Sequence, residues 1–199
     1  MSRPTFPLFQ SHIDMAHAYW KSLILSGDTV IDATCGNGHD TLTLANLALS
    51  QEKGGKLIAI DTQQQAIEST RERLNVHLDP NFIPLIHLLH QCHSSFPAEI
   101  FPETVKLIVY NLGYLPGSDK SKTTSSNTTL QSILAALPLL TSGGALSITC
   151  YPGHPEGKIE EEIILGFAAT LNPMQWSTCV HRWINRREAP SLLIIQKSK

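Results

Sequence analysis

The chain has 199 residues, four cysteines and a net charge of −2. That length suits one α/β domain over residues 1–199 with a full core, and the charge excludes a global basic field for nucleic acid, so any RNA contact must use a local patch. No run of about 18 apolar residues suggests a membrane span, no signal-peptide core opens the chain, and Cys35, Cys92, Cys150 and Cys179 form no C-x-x-C pair, which suits a reduced, cytoplasmic protein.

In chain order, residues 9–25 read as a helix, part of an N-terminal cover (residues 1–27) over the sheet edge. Residues 29–32 are a strand, and Cys35-Gly36-Asn37-Gly38-His39 a glycine turn feeding a helix over 40–50. Lys53-Gly54-Gly55 turns into a second strand, 56–60, that ends in Asp61. Residues 64–75 have helical spacing, with Ala66, Ile67 and Leu74 on the buried side. Residues 82–88 read as a third strand that Pro84 demotes toward an edge or irregular position. A fourth strand covers 105–110, and a Ser/Thr/Lys-rich loop covers 117–129. The next helix, 128–140, is ended or kinked by Pro138. A fifth strand follows at 144–150, then a helix over 156–170 started by Pro155, and two neighbouring antiparallel strands at 174–183 and 191–196. Strands alternating with helices, closed by a strand pair, make a doubly wound, mostly parallel Rossmann-like sheet with an antiparallel last strand.

Strand, Gly-x-Gly turn, helix, strand and acid open a nucleotide-binding unit: the glycines admit a ligand to the backbone and Asp61 suits two ribose hydroxyls. A dinucleotide site wants a third glycine where Thr41 stands, and Asp40 at the helix start opposes a diphosphate. Asp32 and Asp40 suit a cation. S-adenosylmethionine is an adenosyl cofactor with a sulfonium and no phosphate, so it fits better than NAD. As alternatives, Asp40 is a helix N-cap and Asp32 a turn residue.

The fourth strand leads into Tyr110-Asn111-Leu112-Gly113-Tyr114-Leu115-Pro116. This resembles the Asn-Pro-Pro-Tyr corner of amino-group methyltransferases, in which an amide oxygen orients the target amine and an aromatic ring packs on a flat target. On that reading Asn111 orients a nitrogen beside the cofactor and Tyr114 stacks on a base; otherwise they are a turn residue and a half-buried ring. The loop at 117–129 lies on the ligand side of the sheet and is a candidate lid. His87, His90, Cys92 and His93 fit no zinc spacing, and no metal is expected; Cys92 and His93 fit the adenine side of the pocket. His154, in Tyr151-Pro152-Gly153-His154-Pro155, is a base, a phosphate ligand or a helix cap, with binding favoured over catalysis. Arg182, Trp183, Arg186 and Arg187 between the last two strands, with Lys120 and Lys122, form a candidate RNA patch; the alternative is a solvated hairpin.

Together these segments resemble the MnmM (YtqB-like) methyltransferases, long labelled rRNA methylases. The matching pieces are Asp32-Ala33-Thr34-Cys35-Gly36-Asn37-Gly38-His39-Asp40-Thr41, Asn111-Leu112-Gly113-Tyr114-Leu115-Pro116 with Asp119-Lys120-Ser121, and Thr128-Thr129-Leu130-Gln131. Gly153-His154 with Glu156-Gly157, and Asn185-Arg186 with Ala189-Pro190, complete the set. The resemblance implies a class I, S-adenosylmethionine-dependent methyltransferase acting on the aminomethyl nitrogen of a modified wobble uridine in the tRNA anticodon stem-loop. It also implies cofactor contacts at Asn37, His39, Asp61, Gln63, Cys92 and His93, and a homodimer. Asp119 and His154 are the two candidate acceptors for the amine's proton. Competing readings are an rRNA or small-molecule methyltransferase and a nucleotide-binding regulatory module without catalysis.

Overall fold

The computed structural model describes residues 11–113, 126–186 and 188–199. Chain order is α1 (His12–Leu23), β1 (Thr29–Asp32), α2 (His39–Ala48), β2 (Lys56–Asp61), α3 (Gln64–His77), β3 (Ile86–His90), β4 (Val105–Asn111), α4 (Ser126–Ala136), β5 (Leu140–Cys150), α5 (Pro155–Ala168), β6 (Trp176–His181) and β7 (Ser191–Lys197). The strands form one sheet in the order β3-β2-β1-β4-β5-β7-β6. β1 to β5 pair in parallel, and β7 runs antiparallel between β5 and β6.

Alternate side chains leave a strand on opposite faces, so each inner strand feeds two cores. Val30, Leu57 and Leu107 pack with Trp20 of α1, Leu44 of α2 and Leu74 of α3. Their chain neighbours Ile31, Ile58 and Ile108 pack on the other face with Ile133 of α4 and Ile164 of α5.

Three expectations shift. Residues 82–88 are not one strand: Asp79 caps a 3-10 turn, Pro80–Leu85, and β3 begins only at Ile86. Two prolines inside six residues remove the amide donors that a ladder needs. The helix placed at 128–140 stops at Ala136; a short 3-10 turn carries Pro138, and β5 starts at Leu140. Its first residue pairs with Val105, but Leu107 already faces Ala145, so residues 141–144 bulge out. The N-terminal helix does not cover an edge. α1, closed by a Ser11–Asp14 capping box, lies beside α2 against β4, β5 and β7, and Trp20 Nε1 donates to Ser147 Oγ of β5 at 2.9 Å. That placement brings α1 to the carboxyl ends of the central strands.

Candidate functional site

Parallel register sets the site. Ala59, Asp32 and Val109 are paired neighbours on β2, β1 and β4. Two residues further along each chain stand Asp61, Thr34 and Asn111, at one level at the mouth of the sheet. The Asn111 backbone N–H donates to Thr34 Oγ1 at 2.7 Å, tying two of these ends together. They open into a cleft of about 1960 Å³. Sites for single drug-sized ligands span roughly 300–1,000 Å³, so this one has room for two reactants.

One wall is the glycine turn. Gly36 and Gly38 have φ of 51° and 77°, in the left-handed region. A Cβ on Gly38 would lie 2.9 Å from Thr70 Cα, so the turn is pressed against α3. Thr70 Oγ1 donates to the Gly36 carbonyl at 3.0 Å, and Arg73 Nε donates to the Asn37 carbonyl at 2.6 Å. Both bonds hold the turn from behind, while Gly36 and Asn37 line the cleft. Asp61 accepts from the amides of Gly36 at 3.0 Å and Gln63 at 2.9 Å, which fixes its carboxylate at the cleft edge. Gln63, His39 and Cys92 also line the cleft.

Asp32 departs from its expected place at the ligand. It is 1% exposed and absent from the cleft lining. Its carboxyl accepts from Thr41 Oγ1 at 2.6 Å and from the Thr34 amide at 3.2 Å. Burial, first of all, pushes its pKa up to about 7, with Asp40 and Asp61 adding to the rise. Thr41, in the position of a missing third glycine, therefore braces the turn through Asp32. Cys35 lines the cleft too; burial and then Asp32 push its thiol well above the usual range.

Asp40 lines the cleft, yet both of its oxygens have protein partners. His17 Nε2 of α1 donates to Oδ1 at 2.7 Å, and Asn111 Nδ2 donates to Oδ2. Neither an N-cap role nor a bare ligand-facing charge describes it, because Gly38 is the N-cap of α2. On its other side the Asn111 amide oxygen accepts from the Tyr151 hydroxyl at 3.1 Å, and His12 Nε2 of α1 lies 3.3 Å from that hydroxyl. Burial, then Asp40, raises the Tyr151 pKa to about 12, so it stays a donor. Burial lowers that of His12. Tyr151 belongs to the Tyr151-Pro152-Gly153-His154-Pro155 motif, in which nothing marks it as a site residue. His12 and His17 were missed altogether, and no spacing along the chain links them to Asn111.

The histidine cluster divides. His90 Nε2 donates to the Thr62 carbonyl at 2.9 Å and braces the loop after β2, whereas His87 is exposed on β3. His93 is buried and lines the cleft; burial lowers its pKa, and its Nε2 has no partner. Among the described residues no group of three or more His, Cys, Asp or Glu could hold a metal. His154 lines the cleft but caps α5: its Nδ1 accepts from the Gly157 amide at 3.1 Å. The cap, not a free base, is what this nitrogen does.

Arg182 of the expected RNA patch is exposed but paired, with Nη2 3.2 Å from Oε2 of buried Glu161. Arg186 is exposed and its guanidinium lies 4.7 Å from the Trp183 ring centre; this segment returns to the cleft at Glu188. Tyr114, Asp119, Lys120, Lys122 and Arg187, with most of the lid expected at 117–129, lie outside the described residues. The described lining carries the carboxylates of Asp40, Asp61, Glu156 and Glu188 and no lysine or arginine. That field suits a cation and repels a polyphosphate.

No helix among the described residues is long and apolar enough to cross a membrane. The family model described as "Putative rRNA methylase" matches residues 57–197. A relative from Arabidopsis thaliana, "tRNA (mnm(5)s(2)U34)-methyltransferase, chloroplastic", is 40% identical over 188 residues, covering 92% of this chain and 68% of that protein. A crystal structure of a "putative rRNA-methylase" from Clostridium thermocellum superposes with a TM-score of 0.87 at 34% identity, covering 95% of this chain and 98% of that one. A "putative methyltransferase" from Streptococcus mutans, solved in complex with SAH, gives 0.82 at 30% identity, covering 95% and 99%. The sheet order is thus the Rossmann-like arrangement of methyltransferases, and a chain that matches the family model over residues 57–197 and such relatives along almost its whole length belongs to the rRNA methylase family.

Proposed function

We propose that this chain transfers a methyl group from S-adenosylmethionine to the aminomethyl nitrogen of a modified wobble uridine in tRNA. The observation that carries the reading is the Asn111 amide at the cleft floor, its nitrogen engaged by Asp40 and its oxygen left to accept a further hydrogen bond. An oxygen acceptor in that place suits an amine, whose N–H it accepts. The substrate named for the Arabidopsis relative, and the SAH held by the Streptococcus mutans neighbour, agree with it.

The residues present fit the cofactor. Gly38 leaves no room for a Cβ on the side of α3, so the turn offers its backbone to the cleft. Asp61 suits the ribose hydroxyls, the His93 Nε2 is a buried polar atom in want of a partner on the adenine side beside Cys92, and Gln63 flanks them. Bound there, the cofactor supplies an electrophilic methyl on a sulfonium. Asn111 holds the acceptor nitrogen in line through an oxygen that accepts one of its N–H groups. Phosphates of the anticodon stem-loop suit Arg186 with its Trp183 platform better than the carboxylates that line the cleft; Lys120, Lys122 and Arg187 are further candidate cations from the sequence. A cytoplasmic setting agrees with four free cysteines; the homodimer is carried by the resemblance.

The test is mass spectrometry of tRNA nucleosides from cells lacking the gene, followed by methylation in vitro of the tRNA they yield. Accumulated aminomethyl-uridine that the purified protein converts to methylaminomethyl-uridine supports the proposal. Unchanged tRNA with a methyl missing from rRNA, or from a small molecule, refutes it.

A further inference from the structure

The proposed chemistry needs the Asn111 amide one way round, and nothing within Asn111 enforces that. A side-chain amide presents an oxygen on one side and two N–H donors on the other, and half a turn exchanges them. With the NH₂ forward, an acceptor amine would meet donors instead of an acceptor. The groups around Asn111 remove this choice. Asp40 Oδ2 accepts from the Asn111 side-chain nitrogen, and Oδ1 is already taken by His17. With the nitrogen on Asp40, the group facing Tyr151 is the oxygen, and the Tyr151 hydroxyl donates to it at 3.1 Å. Asp40 is in turn held by His17 Nε2 at 2.7 Å. Tyr151 is held by His12, whose Nε2 is 3.3 Å from the hydroxyl and whose ring packs edge-on at 5.6 Å between centroids. Five side chains thus form one chain, His17–Asp40–Asn111–Tyr151–His12, that begins and ends on α1 and encloses the amide.

We propose that Asp40 and Tyr151, held from outside by His17 and His12 of α1, are positioning residues that lock the Asn111 amide oxygen toward the acceptor nitrogen. This rests on the amine methyltransferase reading and extends it to a helix otherwise explained as a cover for the core. Tyr151 occupies one lone-pair direction of the Asn111 oxygen and leaves the other for the substrate. Asp40 works through Asn111, so its removal acts on turnover and leaves the binding of S-adenosylhomocysteine, whose sulfur carries no charge, intact.

Asp40→Asn is the decisive variant: its amide matches the carboxylate in shape but can offer either a donor or an acceptor. The expected result, on tRNA bearing aminomethyl-uridine, is a kcat lower by about 10–100-fold, the size of effect that misplacing a reacting group produces. The affinity for S-adenosylhomocysteine by calorimetry stays within about threefold, which also shows that the variant is folded. Tyr151→Phe lowers kcat by about fivefold to tenfold, as the loss of one hydrogen bond would. His17→Gln, which keeps a donor for Asp40, retains more turnover than His17→Leu. A matched loss of S-adenosylhomocysteine binding in Asp40→Asn would make Asp40 a cofactor contact and overturn the proposal, as would unchanged kcat. Wild-type protein inactive on this tRNA would defeat the function and not the lock. The lock is read separately from the side-chain amide protons of Asn111 in ¹⁵N-labelled protein: they lie downfield in the wild type and move back in Asp40→Asn, and resonances that do not move overturn it.

Discussion

Asp32→Asn makes the burial beneath the glycine turn measurable. Asp32 is sealed under the cleft, and its pKa rises from 3.8 to about 7 on folding. Between those values the folded chain keeps a proton that the unfolded chain has released, so stability falls as pH rises. At about 1.4 kcal/mol per pH unit the full cost is roughly 4 kcal/mol, complete above pH 7. Burial of His12 and His93 acts in the opposite sense: their lowered pKa values make folding more favourable as pH climbs toward 6.5. The wild-type profile is therefore a composite, and the difference between wild type and variant isolates Asp32. Asparagine keeps an oxygen for the Thr41 hydroxyl but loses the longer bond from the Thr34 amide, a constant cost of about 1 kcal/mol. The two proteins should be nearly equal at pH 5, and the variant should gain about 3 kcal/mol on wild type by pH 8. Urea titrations followed by tryptophan fluorescence, with Trp20 buried in the core, read this directly. A difference that stays flat from pH 5 to pH 8 would mean that Asp32 ionises freely, and the account of the turn would be wrong.

Gly38→Ala should cost at least about 1–3 kcal/mol and weaken S-adenosylhomocysteine binding, because φ is 77° and the new methyl would meet the Thr70 backbone; denaturation and calorimetry check both. Arg182→Ala should lower stability by about 2 kcal/mol by leaving buried Glu161 with only Ser191, while its tRNA affinity, corrected for folding, stays unchanged. Arg186→Ala should reduce the salt dependence of tRNA binding by about one ion, read from titrations at several salt concentrations. Trp20→Phe should cost about 1–3 kcal/mol, seen by circular dichroism, since it strands the Ser147 hydroxyl in the core and removes the anchor that sets α1 against β5.

Local chemistry made the sheet, the glycine turn and Asp61 legible, because each is written in neighbouring residues. The alternation of Val30 with Ile31 announces a strand buried on both faces, and Gly36-Asn37-Gly38 announces the turn. Asn111 could be found because it ends an apolar strand. What surrounds it could not, since Tyr151 lies 40 residues away and His12 a further 139 from Tyr151. Asp32 and Asp40 show the limit most clearly. Both are acids beside one turn, and the sequence treats them alike, yet one is sealed beneath the cleft and the other shares its charge with His17 and Asn111. The distinction depends on which way each side chain leaves the backbone and on helix α1, placed by Trp20 far along the chain from Ser147. Arg182 and Arg186 repeat the lesson, four positions apart and both exposed, one paired with Glu161 and one beside the Trp183 ring.

The state of Cys35 bears on chemoselectivity. An activated methyl is open to any good nucleophile within reach, and a thiolate outcompetes an amine. Cys35 lines the same cleft, but burial and the nearby Asp32 keep its sulfur protonated and therefore inert. On the proposed reading, burial of Cys35 beside Asp32 would protect the turn against alkylation by the methyl donor.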